Sequence, residues 1–356
     1  MTPITTRSAL FLVQSPLHIQ NAREAILRFG ITKSTFFIVT KTDRQKWAQM
    51  MIAALPIDTH CLFCERDDQD IVAATKEYTK HLPWLKNQSF DYVFFADTRL
   101  YIFVDIVNAL QHPNTFLTDD GAGIIQTVHT LKTKKKYFDI PISTLPERRK
   151  LIEQTKKKYG LWQLEHVTYD LFTAFDFDSC DEFNVVPNPM SGLCYNHARV
   201  ENNEVLIIGQ PFVKNGHMKS EVYMDCIRQI QQKYSGKKIN YLPHPRETDI
   251  DNQMLQRATG LDVIDTNLPV EEYLKQLPNA PSIVSGFYSA ALWYIAKFQA
   301  DIRVEAFKLS PDFFCFPDNQ MMWGSSELTK LEVTELVYDY YKLRINVVDL
   351  IKPNQV

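Results

Sequence analysis

Apolar runs and helical patterns alternate along most of this chain. Residues 8–13 form an uninterrupted apolar run of the kind found in buried strands of parallel sheets. A helical pattern follows between Pro16 and Gly30, with proline near its start and glycine past its end. Residues 35–39 form the next apolar run. Strand, helix, strand is the unit of a doubly wound α/β sheet, so the pattern predicts this fold class.

The same alternation continues to the end of the chain. In the first half, the pattern predicts strands at 59–63, 92–95 and 115–117 and helices at 44–55, 70–80 and 101–110. In the second half, it predicts strands at 205–208, 238–241, 261–264, 282–285 and 302–304 and helices at 220–234, 248–258, 269–274, 289–298 and 327–343. Two Rossmann-like domains account for this repetition.

Residues 186–192 interrupt the alternation with two prolines, an asparagine and a glycine, which is typical of a linker. We therefore predict an N-terminal domain at 1–190 and a C-terminal domain at 200–325. Residues 326–356 are expected to form a helical segment that packs back on the N-terminal domain.

Composition and charge are those of a soluble globular protein and give no evidence for nucleic-acid binding, a disulfide framework or secretion. Hydrophobic residues make up 45% and charged residues 23% of 356 residues, as in soluble globular proteins. The formal net charge of -3 gives no argument for nucleic-acid binding. Six cysteines spread over the chain fit reduced thiols, and the apolar run near the N-terminus is too short for a signal peptide. We expect a cytoplasmic protein, at most peripheral on the inner membrane.

Positive charge is concentrated between residues 132 and 158. The residues are Lys132, Lys134, Lys135, Lys136, Arg148, Arg149, Lys150, Lys156, Lys157 and Lys158. A solvated helix face with a loop is one interpretation. The other is a basic rim that contacts an anionic membrane or an anionic glycan acceptor.

Polar residues follow the predicted strands where ligands of Rossmann-type sheets bind, beyond the carboxyl ends. Gln14 and Asp97 lie at two such ends, and Asp119-Asp120-Gly121 lies at a third. Adjacent carboxylates repel, which raises the pKa of one and makes it usable as a general base. The alternative is an ordinary turn, because Asp and Gly are common turn residues.

A histidine between two prolines ends another predicted strand. Pro243 and Pro245 restrict the backbone around His244, so its ring is held at the strand end. This suits a proton donor or an anion ligand, although a lone histidine is also often structural. Arg246 and Glu247 are either supports of His244 or the start of a helix.

The segment from Ser285 to Ala290 combines a strand end, Gly286, and a predicted helix start at Ser289. Free backbone N–H groups at a helix start bind anions, but Ser289 is equally explained as an N-cap. Glu271, near another helix start, is a candidate for a ribose hydroxyl or a partner of the helix dipole. Gly209 ends one further strand and is expected to border the same ligand.

Two apparent metal motifs are discounted. Cys61 and Cys64 have CxxC spacing, but no second pair follows at zinc-ribbon distance. Asp176 and Asp178 have DxD spacing, but no buried apolar strand precedes them. P-loop, GxGxxG and GxSxG motifs are absent from the sequence. We therefore expect no metal and no cofactor.

Taken in order, Asp119-Asp120-Gly121, His244-Pro245 and the serine segment resemble motifs of bacterial sialyltransferases of the GT-B fold. The resemblance is to lipooligosaccharide sialyltransferases and capsule polysialyltransferases, glycosyltransferase families 52 and 38. In these families a Ser/Thr-Pro-Leu turn follows the opening strand, similar to Ser15-Pro16-Leu17 here. The resemblance implies two Rossmann-like domains facing across a cleft, with Asp119 opposite His244.

The resemblance also implies roles for single residues. Asp119 would be the general base, His244 would contact the CMP phosphate beside Pro245, and Glu271 would bind the cytidine ribose. Ser289 aligns with the first residue of a serine pair, and Ser285 lies nearby. Ala290 departs from that pair, which leaves Ser285 or backbone amides, with Gly286, to complete the phosphate contact.

The implied activity is metal-independent, inverting transfer of sialic acid from CMP-sialic acid to a bacterial surface-glycan acceptor, either lipooligosaccharide or capsule. Another CMP-activated acid, such as Kdo, pseudaminic acid or legionaminic acid, is a second interpretation. A catalytically inactive nucleotide-binding protein of capsule assembly is a third. A metal-dependent UDP-sugar transferase that uses Asp176 and Asp178 is a fourth.

Overall fold

The computed structural model describes residues 6–41, 45–57, 59–66, 70–138, 146–162, 164–193, 203–266, 268–322 and 328–351. The chain divides into two compact units. The first contains the described residues up to Met190 together with Met322, and the second contains those from 191 to 321 and from 328 onward.

The first unit is a seven-stranded parallel sheet with helices between its strands. Its strands are β1 (Ser8–Val13), β2 (Lys33–Lys41), β3 (His60–Arg66), β4 (Tyr92–Phe95), β5 (Thr115–Thr118), β6 (Asp170–Thr173) and β7 (Val185–Pro187). Its helices are α1 (Pro16–Phe29), α2 (Gln45–Ala54), α3 (Ile71–Thr79), α4 (Leu82–Lys86), α5 (Tyr101–Leu110), α6 (Gly123–Lys134) and α7 (Pro146–Lys158). The strand order is β3-β2-β1-β4-β5-β6-β7.

The β1–α1 connection shows how the sequence forms these elements. Ser15 caps α1 with extended backbone and accepts a hydrogen bond from the backbone N–H of His18. Pro16 occupies the first turn, and Gly30 ends the helix at φ 63° in the left-handed region. The apolar run of β1 is buried because helices cover both faces of the sheet.

The second unit is a six-stranded parallel sheet. Its strands are β8 (Glu204–Ile208), β9 (Lys238–Leu242), β10 (Asp262–Val263), β11 (Ile283–Gly286), β12 (Arg303–Lys308) and β13 (Asn346–Asp349). Its helices are α8 (Ser220–Lys233), α9 (Asp249–Thr259), α10 (Val270–Gln276), α11 (Ala290–Phe298) and α12 (Lys330–Tyr341). The strand order is β10-β9-β8-β11-β12-β13.

Both sheets reverse their direction of winding beside their first strand. In the first unit the reversal lies between β1 and β4, and in the second it lies between β8 and β11. Helices must then pass to opposite faces on the two sides of this point, which leaves a crevice at the carboxyl ends of the strands. The predicted doubly wound α/β fold is therefore confirmed in each unit.

Three short strands were not predicted. β6 and β7 extend the first sheet through residues that mix β-forming and acidic side chains, and β7 occupies part of the predicted linker. β13 pairs with β12 in parallel and completes the second sheet. The C-terminal segment thus belongs to the second unit, where the hydroxyl of Tyr338 donates to the carbonyl of Phe307 at 2.7 Å.

None of the described helices is long and apolar enough to cross a membrane.

Candidate active site

Polar residues collect at the carboxyl edge of the first sheet. Gln14 follows β1, Asp97 follows β4 by one residue, and Asp119 and Asp120 follow β5 directly. These three strands are neighbours in the order β1-β4-β5, so the residues meet at one place. The strand-end cluster predicted from the sequence is present, and it lies at the switch point.

Asp119 is fully buried, with 0% of its surface exposed. The hydroxyl of Thr173 donates to its Oδ1, and the backbone N–H of Ala174 donates to Oδ2 at 2.9 Å. The side-chain amide of Asn21 donates to its carbonyl oxygen at 2.9 Å. Asp119 therefore ties the end of β5 to the end of β6 and to α1, and its predicted role as general base stays a prediction.

Asp120 has a different environment, because 26% of its side chain is exposed. Its Oδ1 lies 2.8 Å from Nε2 of His18, and its Oδ2 accepts a hydrogen bond from Nη2 of Arg99 at 2.5 Å. The two donors come from α1 and from the loop after β4. One carboxylate is thus held from two sides while part of it faces solvent.

The ring of His18 is buried, and its hydrogen bonds define its tautomer. The backbone N–H of Gln14 donates to Nδ1 at 3.1 Å, so Nδ1 is an acceptor. The ring proton of a neutral imidazole is then on Nε2, where it is donated to Asp120. His18 therefore orients the carboxylate as a donor.

Arg99 joins two carboxylates. Its backbone N–H and its Nε both donate to Oδ1 of Asp97, at 2.8 and 2.9 Å, while Nη2 reaches Asp120. Burial opposes the charge of Arg99, but the attraction of Asp97 and Asp120 raises its pKa above the ordinary value. A Cβ on Gly123 would lie 3.0 Å from Nη2, so glycine leaves room for the guanidinium.

His244 lies in the turn after β9, at the carboxyl edge of the second sheet. The backbone N–H of Arg246 donates to its Nδ1 at 3.0 Å, and its carbonyl accepts from the N–H of Glu247 at 2.8 Å. In the neutral ring, Nε2 therefore carries the proton. Pro245 is exposed beside it. The position predicted from the Pro-His-Pro pattern is observed, and the role of His244 stays a prediction.

Glu247 supports this turn from inside the unit. One carboxylate oxygen accepts the backbone N–H of His244 at 2.5 Å, and the other accepts the hydroxyl of Tyr241 at 2.7 Å. Tyr241 is in turn hydrogen-bonded to Tyr223 at 2.8 Å. Burial raises the pKa of Glu247 to about 7.

Glycine is required at position 209, directly after β8, because the side chains of Glu247 and Tyr241 lie close to its backbone. A Cβ at Gly209 would overlap the carboxylate of Glu247 and the hydroxyl of Tyr241. Its backbone N–H donates to the carbonyl of Leu242 at 2.8 Å. The structure thus gives Gly209 a packing function next to the site, and its predicted contact with a nucleotide stays a prediction.

The serine segment divides into a buried part and a half-buried part. Ser285 lies within β11 with 0% of its surface exposed, so its hydroxyl faces the protein interior. Gly286 allows a close approach of β8, because an added Cβ would lie 3.0 Å from the carbonyl oxygen of Ile208. Ser289 occupies the N-cap position of α11, but its side chain makes no capping hydrogen bond. Ser289 is therefore the better placed of the two serines for a ligand.

Glu271 lies in the first turn of α10 and is 9% exposed. Burial raises its pKa to about 7, and the neighbouring charge of Glu272 acts in the same direction. The predicted contact with a ribose stays a prediction.

The two discounted metal motifs lie in different environments, and the expectation of no metal stays a prediction. Cys64 is buried, and burial raises the pKa of its thiol to about 12, which disfavours the thiolate that a metal or redox site needs. Asp176 and Asp178 are exposed, but the expectation that no buried strand precedes them is wrong, because β6 is largely buried and ends three residues before Asp176. Among the described residues, no three His, Cys, Asp or Glu side chains form a group that could hold a metal ion.

The basic residues of the segment 132–158 differ in their burial and in their ion-pair partners. Lys156 is buried, and its Nζ lies 2.7 Å from Oδ1 of Asp105, so it stabilises α7 against α5. Lys135 is paired with Glu182, and Lys157 is paired with Glu153. The other exposed lysines of the segment are Lys132, Lys134, Lys150 and Lys158. The side chains of Arg148 and Arg149 are outside the described residues.

Three residues of these networks had been given no definite role. The sequence pattern does not single out His18 or Arg99, and it leaves Glu247 as either a support of His244 or the start of a helix. The signals were their positions, since each lies within four residues of a strand-end polar residue: Gln14, Asp97 and His244. Long side chains at such spacing reach back to the strand end, but sequence does not show which ones do.

Comparisons with known proteins agree with this architecture. Residues 9–308 match the model of a family described as Alpha-2,8-polysialyltransferase (POLYST). No curated protein sequence matches the chain. A narrower assignment to glycosyltransferase families 52 or 38 stays a prediction.

Solved structures resemble the chain in fold. A protein from Listeria monocytogenes assigned as a UDP-N-acetylglucosamine 2-epimerase has a TM-score of 0.51 at 11% identity, covering 95% of this chain and 88% of its own. MurG from Acinetobacter baumannii has a TM-score of 0.47 at 9% identity, covering 96% and 86%. Identities this low show the fold alone. The predicted GT-B class is confirmed for the two doubly wound units.

Proposed function

Because the chain belongs to the alpha-2,8-polysialyltransferase family and is therefore a glycosyltransferase, we propose that it transfers sialic acid from CMP-sialic acid to a surface-glycan acceptor. The family implies a nucleotide-sugar donor and a glycan acceptor. One observation carries the finer proposal. The matched range, 9–308, spans Asp119-Asp120-Gly121 and His244-Pro245, and each motif follows a strand that neighbours a switch-point strand, β5 beside β4 and β9 beside β8.

The second unit supplies the donor side of the proposed reaction. CMP is a good leaving group, so the main demand on the protein is to stabilise negative charge as the bond from sugar to phosphate breaks. Nε2–H of His244 is a suitable donor because Nδ1 already accepts a backbone hydrogen bond. The N-terminus of α11 with Ser289 offers further donors, and Glu271 is proposed for the ribose.

The first unit supplies the acceptor side. A carboxylate of the Asp119-Asp120 pair is proposed to take the proton of the acceptor hydroxyl while its oxygen attacks the anomeric carbon, which inverts that centre. Hydrogen-bond donors and a helix N-terminus are proposed to supply the stabilisation that some other transferases obtain from a bound metal. We therefore propose a metal-independent reaction.

The proposed surface-glycan acceptor is relevant to where in the cell the protein acts. We propose a cytoplasmic protein with peripheral contact to the inner membrane through the exposed lysines of residues 132–158. Lysines near an anionic surface each contribute about 1 kcal/mol of attraction, so several are enough for reversible contact.

The test is donor turnover by the purified full chain, measured in parallel with EDTA and with Mn²⁺. We expect CMP release from CMP-sialic acid, faster with a sialic acid oligomer as acceptor than with water alone. CMP-Kdo, CMP-pseudaminic acid, CMP-legionaminic acid and a UDP-sugar form the donor panel. His244→Ala is expected to reduce CMP release by at least about 100-fold. His60→Ala, a change at an exposed histidine of β3, is the matched control and should leave the rate unchanged.

The outcomes separate the alternatives. Preference for another CMP-sugar would keep the reaction and change the sugar. CMP binding without turnover of any donor would favour a nucleotide-binding assembly protein. Turnover of a UDP-sugar that requires Mn²⁺ would refute the proposal and favour a site at Asp176 and Asp178.

A further inference from the structure

Two buried polar side chains of α6 lack a hydrogen-bond partner. Gln126 is 2% exposed and Thr130 is 4% exposed, and their spacing of four residues places them on one face of the helix. Among the described residues, no group donates to Oε1 of Gln126, and none bonds to the hydroxyl of Thr130. Leaving a buried polar group unpaired costs stability, so two of them in one place need an explanation other than packing.

Both side chains line one notch in the first unit, with a volume of about 220 Å³ that includes space open to solvent. Thr98 and Arg99, from the loop after β4, form a second wall of the notch, and Lys136 and Tyr137, from the segment after α6, form a third. The unpartnered atoms of Gln126 and Thr130 are therefore next to space that a ligand group can enter.

The notch adjoins the acidic turn after β5 through Arg99. The guanidinium of Arg99 lines the notch, and its Nη2 also donates to Oδ2 of Asp120 at 2.5 Å. In the proposed reaction the attacking hydroxyl of the acceptor lies at the Asp119-Asp120 turn. Other polar groups of the same sugar then lie beside that hydroxyl, on the side where Arg99 leads to the notch.

The side chains of the notch determine which chemical group fits it. Oε1 of Gln126 needs an O–H or N–H donor, and the hydroxyl of Thr130 can both donate and accept. A sugar hydroxyl or an N-acyl amide can serve both residues. An ionised carboxylate or phosphate group has no proton to donate and leaves Oε1 unpaired. Lys136, half-buried at the border, adds a positive charge that favours an acidic sugar as the molecule carrying this group.

We infer that Gln126 and Thr130 form a subsite that recognises an uncharged polar group, a hydroxyl or an N-acyl amide, on the acceptor sugar. The inference rests on the proposed function and specifies how its acceptor is selected. The two side chains bind the sugar and take no part in proton transfer. Their contribution therefore belongs to acceptor binding and is separate from donor binding and from breakage of the bond to CMP.

Gln126→Leu and Thr130→Val test the subsite in the full chain, because each replaces the polar atoms by an apolar group of similar size. We expect each change to raise the KM for a sialic acid oligomer about 10-fold. CMP release to water should be unchanged, and the melting temperature should be unchanged or higher, because an unpaired buried polar group is removed. Thr133→Val, at an exposed position of the same helix, is the matched control and should leave this KM unchanged.

Calorimetry with the same oligomer and no donor measures binding apart from turnover, and the Kd should change by the same factor as the KM. An oligomer affinity that is equal in the wild type and both variants would overturn the subsite and assign the notch to ordered water. The same result with the oligomer displaced by inorganic phosphate would assign the oligomer to an anion site instead, and a wild type that binds no oligomer would also overturn the inference. A wild type that turns over no CMP-sugar would refute the proposed function, and calorimetry would then decide the subsite alone.

Discussion

The half-buried carboxyl group of Glu247 should make the second unit less stable as pH rises. Replacing it by glutamine keeps the shape of the side chain and removes the charge. The amide oxygen can accept the N–H of His244, and the amide nitrogen can donate to the hydroxyl of Tyr241, so both observed contacts have a counterpart. Glu247→Ala, by contrast, leaves a backbone N–H and a buried hydroxyl without their acceptor, at a cost of about 1–3 kcal/mol each.

The magnitude follows from the pKa of Glu247, which burial raises from 4.5 to about 7. A carboxyl group with the higher pKa in the folded state holds its proton more tightly there. Its stabilising effect is therefore complete below about pH 4.5 and is lost as pH rises through 7. The full change corresponds to roughly 3 kcal/mol of unfolding free energy. Glu247→Gln has no titratable group at this position. Between pH 4.5 and pH 8, its free energy of unfolding should therefore rise by that amount relative to that of the wild type.

Urea unfolding at a series of pH values measures the difference. At each urea concentration, a short hydrogen-exchange pulse at one common pH labels the unfolded molecules. Mass spectrometry of the peptide that contains β9 then reports the unfolding of the second unit alone. Taking the difference between the two proteins cancels other groups that titrate in the same range, including Glu271, whose pKa is also raised to about 7. If the difference in unfolding free energy between the wild type and Glu247→Gln stays constant over this pH range, Glu247 is ionised in the folded protein. That result would refute the reasoning.

Three further predictions concern packing and charge. Gly209→Ala should destabilise the second unit by about 1–3 kcal/mol in urea unfolding, because the added methyl overlaps the buried hydroxyl of Tyr241 and the hydrogen-bonded carboxylate of Glu247. Lys156→Met should cost the first unit about 3–5 kcal/mol, since the buried Asp105 keeps the hydroxyl of Tyr78 but loses its oppositely charged partner. Lys157→Met at an exposed position should change stability by less than about 0.5 kcal/mol. Ser289→Ala should weaken CMP binding by calorimetry about 10-fold with no loss of stability, because its hydroxyl makes no capping bond; unchanged affinity would separate Ser289 from the nucleotide.

Local pattern was sufficient for most helices and strands. The apolar runs of β1, β2 and β8 and the glycine that ends α1 were predicted close to their observed places, because each depends on residues adjacent in sequence. β6, β7 and β13 were not predicted. They are short strands at or near sheet edges, and neighbouring strands rather than their own composition hold them in place.

The same limit applied to the site. The sequence indicated which strand ends carry Asp119, Asp120 and His244, since polar residues directly after a buried strand are visible in the pattern. It did not show that Asp119 is buried against β6 while Asp120 is reached by His18, because those contacts join residues 54 and 102 positions apart.

What sequence determined by itself was the fold class and the edge of each sheet where chemistry belongs, because hydrophobic periodicity and strand-end position are local properties. Tertiary structure decided which carboxylate is accessible, which lysine of the basic segment is buried, and which donors hold each functional group. Burial and hydrogen bonding depend on side chains brought together from distant parts of the chain. The pattern of adjacent residues therefore cannot predict them.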